Sequence, residues 1–283
     1  MQLLDGKALS EKIKNELKNE SNLLSKKGVI PCLAVILVGE DPASQTYVNS
    51  KEKSCHTAGI ASIVKHLPAS TSEAELLSLI NTLNLDSTVD GILVQLPVPK
   101  HIDSTKIIEA IDPRKDVDGF HPFNVGRLMA GLDGFVPCTP YGVMKLLEEY
   151  KIEVRGLNAC VIGASNIVGK PMMNLLLNAS ATVEICRSST RNLKEHTLKA
   201  DLIVVGVGKP NLLTEDMVCE GAIVIDVGIN RNAEGKIVGD VDFANVSKKC
   251  SYITPVPGGV GPMTIAMLLT NTVKSAKQRL ASL

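Results

Sequence analysis

Short apolar runs with almost no alternation constrain this chain most: Cys32–Val38 (CLAVILV), Gly91–Leu96 (GILVQL), Asn158–Gly163 (NACVIG), Asp201–Gly206 (DLIVVG) and Ala222–Val227 (AIVIDV). A strand with one solvated face alternates apolar and polar residues, whereas a strand covered on both faces does not need to. Runs of this kind belong to parallel sheets with helices above and below. The segments between them fit, because residues 7–27 carry Leu9, Ile13, Leu17, Leu23 and Leu24 at helical spacing before Gly28. Further helices are expected over Ser44–Ala58, Ser72–Leu83, Tyr141–Tyr150, from Lys170-Pro171 onward and over Met263–Leu280, with strands over Ile60–Leu67 and Ala181–Cys186. The fold class is therefore α/β.

Phe135-Val-Pro-Cys-Thr-Pro140 interrupts the pattern, and a new strand periodicity follows Gly156, which places a domain junction near residue 139. After that junction strands recur at intervals of about 20 residues, as a mononucleotide-binding fold requires. The 283 residues suffice for two domains, and 45% hydrophobic residues supply their cores. Thirty acidic and thirty basic side chains cancel, and aromatics stand at 3% with no Trp, so nucleic-acid binding is not expected. Seven cysteines contain no C-x-x-C pair and read as reduced thiols in a cytoplasmic protein. Asp5 and Lys7 cut short any N-terminal signal, and the uncharged run Ser251–Val273 is broken by prolines and glycines, so no membrane association is expected.

Candidate chemistry begins at Asp41-Pro42-Ala43-Ser44, which reads as a capped helix start with proline at the first position. On that helix Tyr47 and Lys51 are four apart and share a face with Ser44. A desolvated lysine beside a phenol can exchange protons near neutral pH. The same Lys51, Glu52 and Lys53 also suit a solvated helix face. Gln95 is an amide among apolar neighbours, and it either bonds local turn backbone or faces a ligand crevice beyond the strand ends. Asp116-Val-Asp118-Gly lacks the oxygen ligands of a calcium loop, so no metal is expected; Asp118 caps a turn or accepts from the N–H groups of a ligand ring. His121, before a proline, reads as structural.

Gly163-Ala164-Ser165-Asn166-Ile167-Val168-Gly169 lies between a strand and a helix, an order that points backbone N–H groups and a helix dipole at a pyrophosphate. The spacing is G-x-S-x-x-x-G rather than G-x-G-x-x-G. After the second strand stand Arg187 and Ser188, where an NAD enzyme offers an acid to the ribose 2′-hydroxyl, so a 2′-phosphate and NADP are expected. Ser251–Pro262 is rich in glycine and proline and reads as a binding loop rather than a plain linker.

Four motifs in order, Tyr47-Val-Asn-Ser-Lys51, Asp90-Gly-Ile-Leu-Val-Gln-Leu-Pro-Val-Pro99, Lys115-Asp-Val-Asp-Gly-Phe-His-Pro122 and Ile253-Thr-Pro-Val-Pro-Gly-Gly-Val-Gly-Pro-Met-Thr264, resemble the bifunctional methylenetetrahydrofolate dehydrogenase/methenyltetrahydrofolate cyclohydrolases along the whole chain. The resemblance implies an enzyme that oxidises 5,10-methylene-tetrahydrofolate with NADP⁺ and hydrolyses the methenyl product to 10-formyl-tetrahydrofolate. It implies an N-terminal α/β catalytic domain over 1–139, completed by a C-terminal helix over 264–283. A Rossmann-type dinucleotide-binding domain over 140–263 would complete the chain, with a cleft between the two and a homodimer as the assembly. By the same resemblance Lys51 is the catalytic lysine, Tyr47 stacks on the pterin, Gln95 tunes the lysine and Asp118 holds the ring. Ser44, Val94 and Leu96 would lie against the substrate, and Pro257, Gly258, Gly259 and Gly261 would form the folate-side loop. Gly163, Ala164, Ser165, Ile167, Val168, Gly169, Arg187, Ser188 and Ile229 would meet the nucleotide.

One departure bears on the cofactor: the family usually shows an arginine where this chain has Ala164, so NAD becomes possible and Arg187, with Arg191, is expected to substitute for the missing charge. A short-chain dehydrogenase also uses Tyr-x-x-x-Lys, but there the glycine loop precedes the tyrosine. A catalytically silent nucleotide sensor is the alternative from another class, and the joint presence of Lys51, Gln95 and Asp118 speaks against it.

Overall fold

The computed structural model describes residues 1–282 apart from the Ala43 side chain. The chain forms two compact units, one of Glu11–Val136 with Ile265 onward, the other of Met1–Ser10 with Pro137–Thr264. In chain order the elements begin with β1 (Gln2–Leu3), α1 (Gly6–Ser25), β2 (Cys32–Val38), α2 (Pro42–Thr57) and β3 (Ala61–Leu67). They continue with α3 (Glu73–Leu85), β4 (Gly91–Val94), α4 (Ser104–Ala110) and α5 (Pro122–Met129).

The first sheet is parallel with order β3-β2-β4. As the middle strand β2 is buried at every residue, which is why its sequence never alternates. The edge strand β3 does admit exposed Lys65 and His66. Ala34, Ile36 and Val38 of β2 pack with Leu76, Ile80 and Leu83 of α3 and with Ile92 of β4. Helix α3 starts on a capping box, in which Ser72 accepts from the Glu75 N–H and Glu75 accepts from the Ser72 N–H. Strand β4 stops at Val94, shorter than the expected run, because Pro97 and Pro99 have no N–H to extend the ladder.

The other unit contains α6 (Cys138–Glu149), β5 (Asn158–Ile162), α7 (Gly169–Asn178), β6 (Thr182–Cys186), α8 (Leu193–Thr197), β7 (Leu202–Val205) and β8 (Ile223–Asp226). Then come β9 (Asn230–Arg231), β10 (Ile237–Val238), α9 (Phe243–Val246), β11 (Tyr252–Ile253) and α10 (Val260–Ala281), the last running on into the first-described unit. Its main sheet is parallel throughout, with order β1-β11-β8-β7-β5-β6. Cys160, Ile162, Ile203, Val205, Val224 and Ile253 form the centre of its core. The chain runs from β5 outward to β6 and then crosses back to β7 on the other side of β5. Such a reversal opens a crevice at the carboxyl ends of β5 and β7.

The first ten residues depart from the expected 1–139 grouping. Gln2 and Leu3 pair with Tyr252 and Ile253, the Leu4 N–H bonds the Ile253 carbonyl at 2.9 Å, and β1 becomes the edge of the second sheet. Two-residue strands carry too little apolar pattern to be seen in sequence, and they form only because the neighbouring strand supplies partners. Among the described residues no helix is long and apolar enough to cross a membrane.

The C-terminal half of α10 is tied to the first sheet by polar side chains. Arg279 donates to both Asp90 carboxylate oxygens at 2.8 and 2.9 Å, and Asp90 also accepts from the Cys32 N–H at 2.9 Å. Ser275 donates to the Asp90 carbonyl, and Asn271 donates to the carbonyls of Val117 and Val136.

Candidate active site

Helix α2 begins as its sequence requires, with Pro42 at the first turn and the Asp41 carboxylate accepting from the Ser44 N–H at 2.8 Å. That cap orients the helix from the end of β2, burying Ser44 and leaving Tyr47 40% exposed. One turn further, Lys51 is half-buried and its Nζ donates to Gln95 Oε1 at 2.8 Å. Gln95 lies one residue past β4, yet its N–H still bonds the Ile36 carbonyl of β2, and its Nε2 donates to the Leu96 carbonyl at 2.7 Å. The reading of this amide as bonded to turn backbone is met by its NH₂, and its oxygen turns to the lysine. With the NH₂ spent on a carbonyl, the oxygen is the atom left for an ammonium donor. Val94 is buried and Leu96 half-buried on either side of it.

Asp118 lies in the turn after Lys115, and the anchor of that turn is Asp116, which sequence reasoning passed over. Asp116 is 2% exposed and accepts from the N–H groups of Phe120 and His121 and from Asn124 Nδ2, at 3.2, 2.9 and 2.8 Å. Burial, opposed by these donors and reinforced by the Asp118 charge, pushes the Asp116 carboxyl up to about 7. A carboxyl raised above its unfolded value of 3.8 holds its proton more tightly in the folded chain, so its contribution to stability is lost as pH rises from about 4 through 7. Urea midpoints measured over that range are expected to slope less with pH in Asp116→Asn than in the parent chain. His121 serves structurally, its Nδ1 accepting from the Phe123 N–H at the start of α5.

In the other unit an open cavity of about 570 Å³ lies at the sheet's reversal. Gly163, Ala164, Ser165, Ile167 and Val168 line it from the β5 loop, Arg187 and Ser188 from the end of β6, and Ile229 from the end of β8. Gly169 does not line it but decides how closely α7 approaches the loop, since a Cβ there would fall 1.9 Å from the Gly163 carbonyl oxygen. Ser165 Oγ accepts from the N–H groups of Val168 and Gly169 at 3.2 and 3.4 Å, folding the loop back onto the helix start. Gly206, Val207, Gly208, Val227 and Gly228 complete the lining. They were not anticipated, although a glycine beyond each strand end is the sequence sign that backbone must come close to something there.

Pro257, Gly258, Gly259 and Gly261 belong to this unit too, the first three in the turn between β11 and α10 and Gly261 in the first turn of α10. The Gly258 carbonyl accepts from the Lys7 N–H at 2.8 Å, and a Cβ on Gly6 would fall 1.8 Å from the Gly259 carbonyl oxygen, so the start of α1 holds this loop. Lys51, Tyr47, Gln95, Asp118, Ser44, Val94 and Leu96 thus fall in one unit and the glycine loop in the other.

Comparison with known proteins gives two family matches in succession, whose bounds differ from the compact units at residues 4–10 and 265–280. Residues 4–118 match the tetrahydrofolate dehydrogenase/cyclohydrolase catalytic domain, and residues 137–280 match the NAD(P)-binding domain of the same family. The bifunctional protein FolD of Campylobacter hominis is 66% identical over 283 residues, covering 100% of both chains. The solved bifunctional methylenetetrahydrofolate dehydrogenase/cyclohydrolase of Campylobacter jejuni superposes with a TM-score of 0.98 at 64% identity, covering 99% of each chain. A Trypanosoma brucei relative, solved with NADP and an inhibitor, superposes with a TM-score of 0.93 at 38% identity over 97% of this chain and 96% of its own. With two domain matches in register and full-length identity of this order, the chain belongs to the tetrahydrofolate dehydrogenase/cyclohydrolase family.

Proposed function

We propose that Lys51 is the proton-transferring group of a bifunctional folate enzyme, and the observation that carries the proposal is the 2.8 Å bond from its Nζ to Gln95 Oε1. The enzyme oxidises 5,10-methylene-tetrahydrofolate to the 5,10-methenyl form and hydrolyses that to 10-formyl-tetrahydrofolate. In the first step a hydride leaves a carbon flanked by two nitrogens, whose lone pairs stabilise the resulting cation, and the nicotinamide accepts it. Little is asked of the protein there beyond positioning. In the second step water adds to the cationic carbon and loses a proton, and the departing ring nitrogen gains one, with one proton released overall. An amine held in place by an amide oxygen suits that traffic.

The remaining roles follow the same reading. Tyr47, exposed one turn before Lys51, offers a ring for the pterin to stack on; Asp118 accepts from pterin N–H groups; Ser44, Val94 and Leu96 are substrate contacts, and Pro257, Gly258, Gly259 and Gly261 are the folate contacts expected of the other unit. The cavity beside Gly163 takes the dinucleotide, its pyrophosphate at the start of α7. Arg187, at the cavity wall where Ala164 supplies no charge, meets the 2′-phosphate and makes NADP⁺ the preferred cofactor over NAD⁺. Charge-assisted bonds of this kind are worth about 1.5–3 kcal/mol, so Arg187→Ala is expected to lose about 10–100-fold in kcat/KM for NADP⁺ with little change for NAD⁺. Initial rates with both cofactors decide it, and an undiminished preference for NADP⁺ in the variant would reject Arg187 as the phosphate ligand.

A homodimer is the expected assembly, and a light-scattering mass of one chain would reject it; the seven free thiols suit a cytoplasmic location. A silent nucleotide sensor finds no support in the family matches. Following absorbance with methylene-tetrahydrofolate and either cofactor tests the main reading, and no turnover with both would sink it.

A further inference from the structure

Two buried carboxylates, Asp240 and Asp226, stand behind the nucleotide cavity, and neither is among the site residues described above. Asp240 is fully buried, and its Oδ2 accepts from the N–H groups of Val207 and Gly208 at 2.6 and 3.0 Å. Its Oδ1 accepts from the Lys209 N–H and from Asn230 Nδ2, each at 2.8 Å. Three successive backbone N–H groups therefore converge on one carboxylate, the arrangement by which turns bind anions. Here the anion is the protein's own. Asp226, behind it, accepts from the N–H groups of Gly228, Asp240 and Val241 at 2.9, 3.0 and 3.0 Å.

Space for the pair is made by glycine. A Cβ on Gly228 would lie 2.3 Å from Asp240 Cγ, and one on Gly239 would lie 1.8 Å from Asp226 Oδ2. Three of the groups so gripped belong to the cavity's own lining: Val207 and Gly208 follow β7, while Gly228 follows β8 and leads into Ile229. Sheet order decides which part of a dinucleotide they meet. The β5 loop and the end of β6 hold the pyrophosphate and the adenosine phosphate, so the loops after β7 and β8, across the reversal, are left for the nicotinamide half.

We propose that Asp240 is a positioning residue for hydride transfer, tying the loops after β7 and β8 into one rigid shelf for the nicotinamide ring. The inference rests on the reading that this cavity takes the dinucleotide. Hydrolysis of the methenyl substrate consumes no dinucleotide, so the two activities of one protein sample separate a positioning role from a general loss of structure.

The test is Asp240→Asn, which keeps one acceptor oxygen but brings an NH₂ into a site made of donors. Misplacing a reacting group by about 1 Å can cost on the order of 10²-fold, so NADP⁺ reduction is expected to fall about 10–100-fold in kcat/KM, with kcat itself reduced. Hydrolysis of supplied methenyl-tetrahydrofolate, measured without dinucleotide, should stay within about twofold. Asn230→Ala severs the link from the acid to β9, together with the weaker Asn230 bond to the Gly239 carbonyl, and covers the case in which the first variant does not fold; it should lower reduction alone, by several-fold. Loss of both activities in the same proportion, or no loss of either, would overturn the role. If the parent chain bound neither NADP⁺ nor NAD⁺ in a titration, the cofactor reading would fail instead.

Discussion

Lys51→Met is expected to lose methenyl-tetrahydrofolate hydrolysis by on the order of 10²–10⁴-fold, the range that a positioned proton donor and acceptor supplies. Methionine keeps an unbranched chain of similar length, so the half-buried stem can stay packed while the amine disappears. Gln95 Oε1 loses its donor, but Gln95 is only half-buried and water can take the vacant place. Folding should be unaffected by circular dichroism, and the nucleotide should still bind, since the cavity lined by Gly163 and Arg187 lies in the other unit. Hydrolysis near the parent rate in a folded variant would remove Lys51 from the mechanism.

Arg279→Ala is expected to have the largest effect on stability, about 3–5 kcal/mol, because removing one partner of a buried ion pair leaves the other charge uncompensated. The Asp90 side chain is 1% exposed, and Arg279 gives it two of its three hydrogen bonds. Arg279 also donates to the Ile30 carbonyl, so the variant frees that oxygen as well. The pH dependence carries a sign. Burial already holds the Asp90 carboxyl above its usual range despite Arg279 and the Cys32 N–H, and loss of the guanidinium raises it further. A carboxyl whose folded pKa exceeds its unfolded value binds its proton more tightly when folded, so stability falls as pH rises through that interval. The deficit of the variant should therefore be greatest near neutral pH and shrink as Asp90 takes up a proton in acid. Urea midpoints at several pH values would show it, and a deficit that did not change with pH would rule out an uncompensated charge as the cause.

Much of the fold is legible because its strands are internal. CLAVILV cannot leave a solvated face, and β2 is indeed the middle of its sheet with every residue buried. The start of α2 is legible for an equally local reason: Asp41, Pro42 and the Ser44 N–H lie within one turn, so the cap is written in adjacent residues. Elements whose partners lie elsewhere in the chain were hidden. β1 exists only beside β11, some 250 residues away, and nothing in Gln2-Leu3 announces it. The short helices α4, α5, α8 and α9 are too brief for a periodic signal.

Residue types and spacing alone determined the parallel α/β architecture, the helix carrying Tyr47 and Lys51, and the glycine loop from Gly163 to Gly169, since each depends on residues within one or two turns. Tertiary structure decided how buried charge is accommodated. The Lys51 amine meets the Gln95 amide from another element, Asp90 waits for Arg279 near the chain's end, and Asp240 closes on three N–H groups more than thirty residues upstream. A carboxylate's place in sequence says nothing of its burial. Burial imposes a desolvation cost, and only the folded chain brings together the donors that offset it.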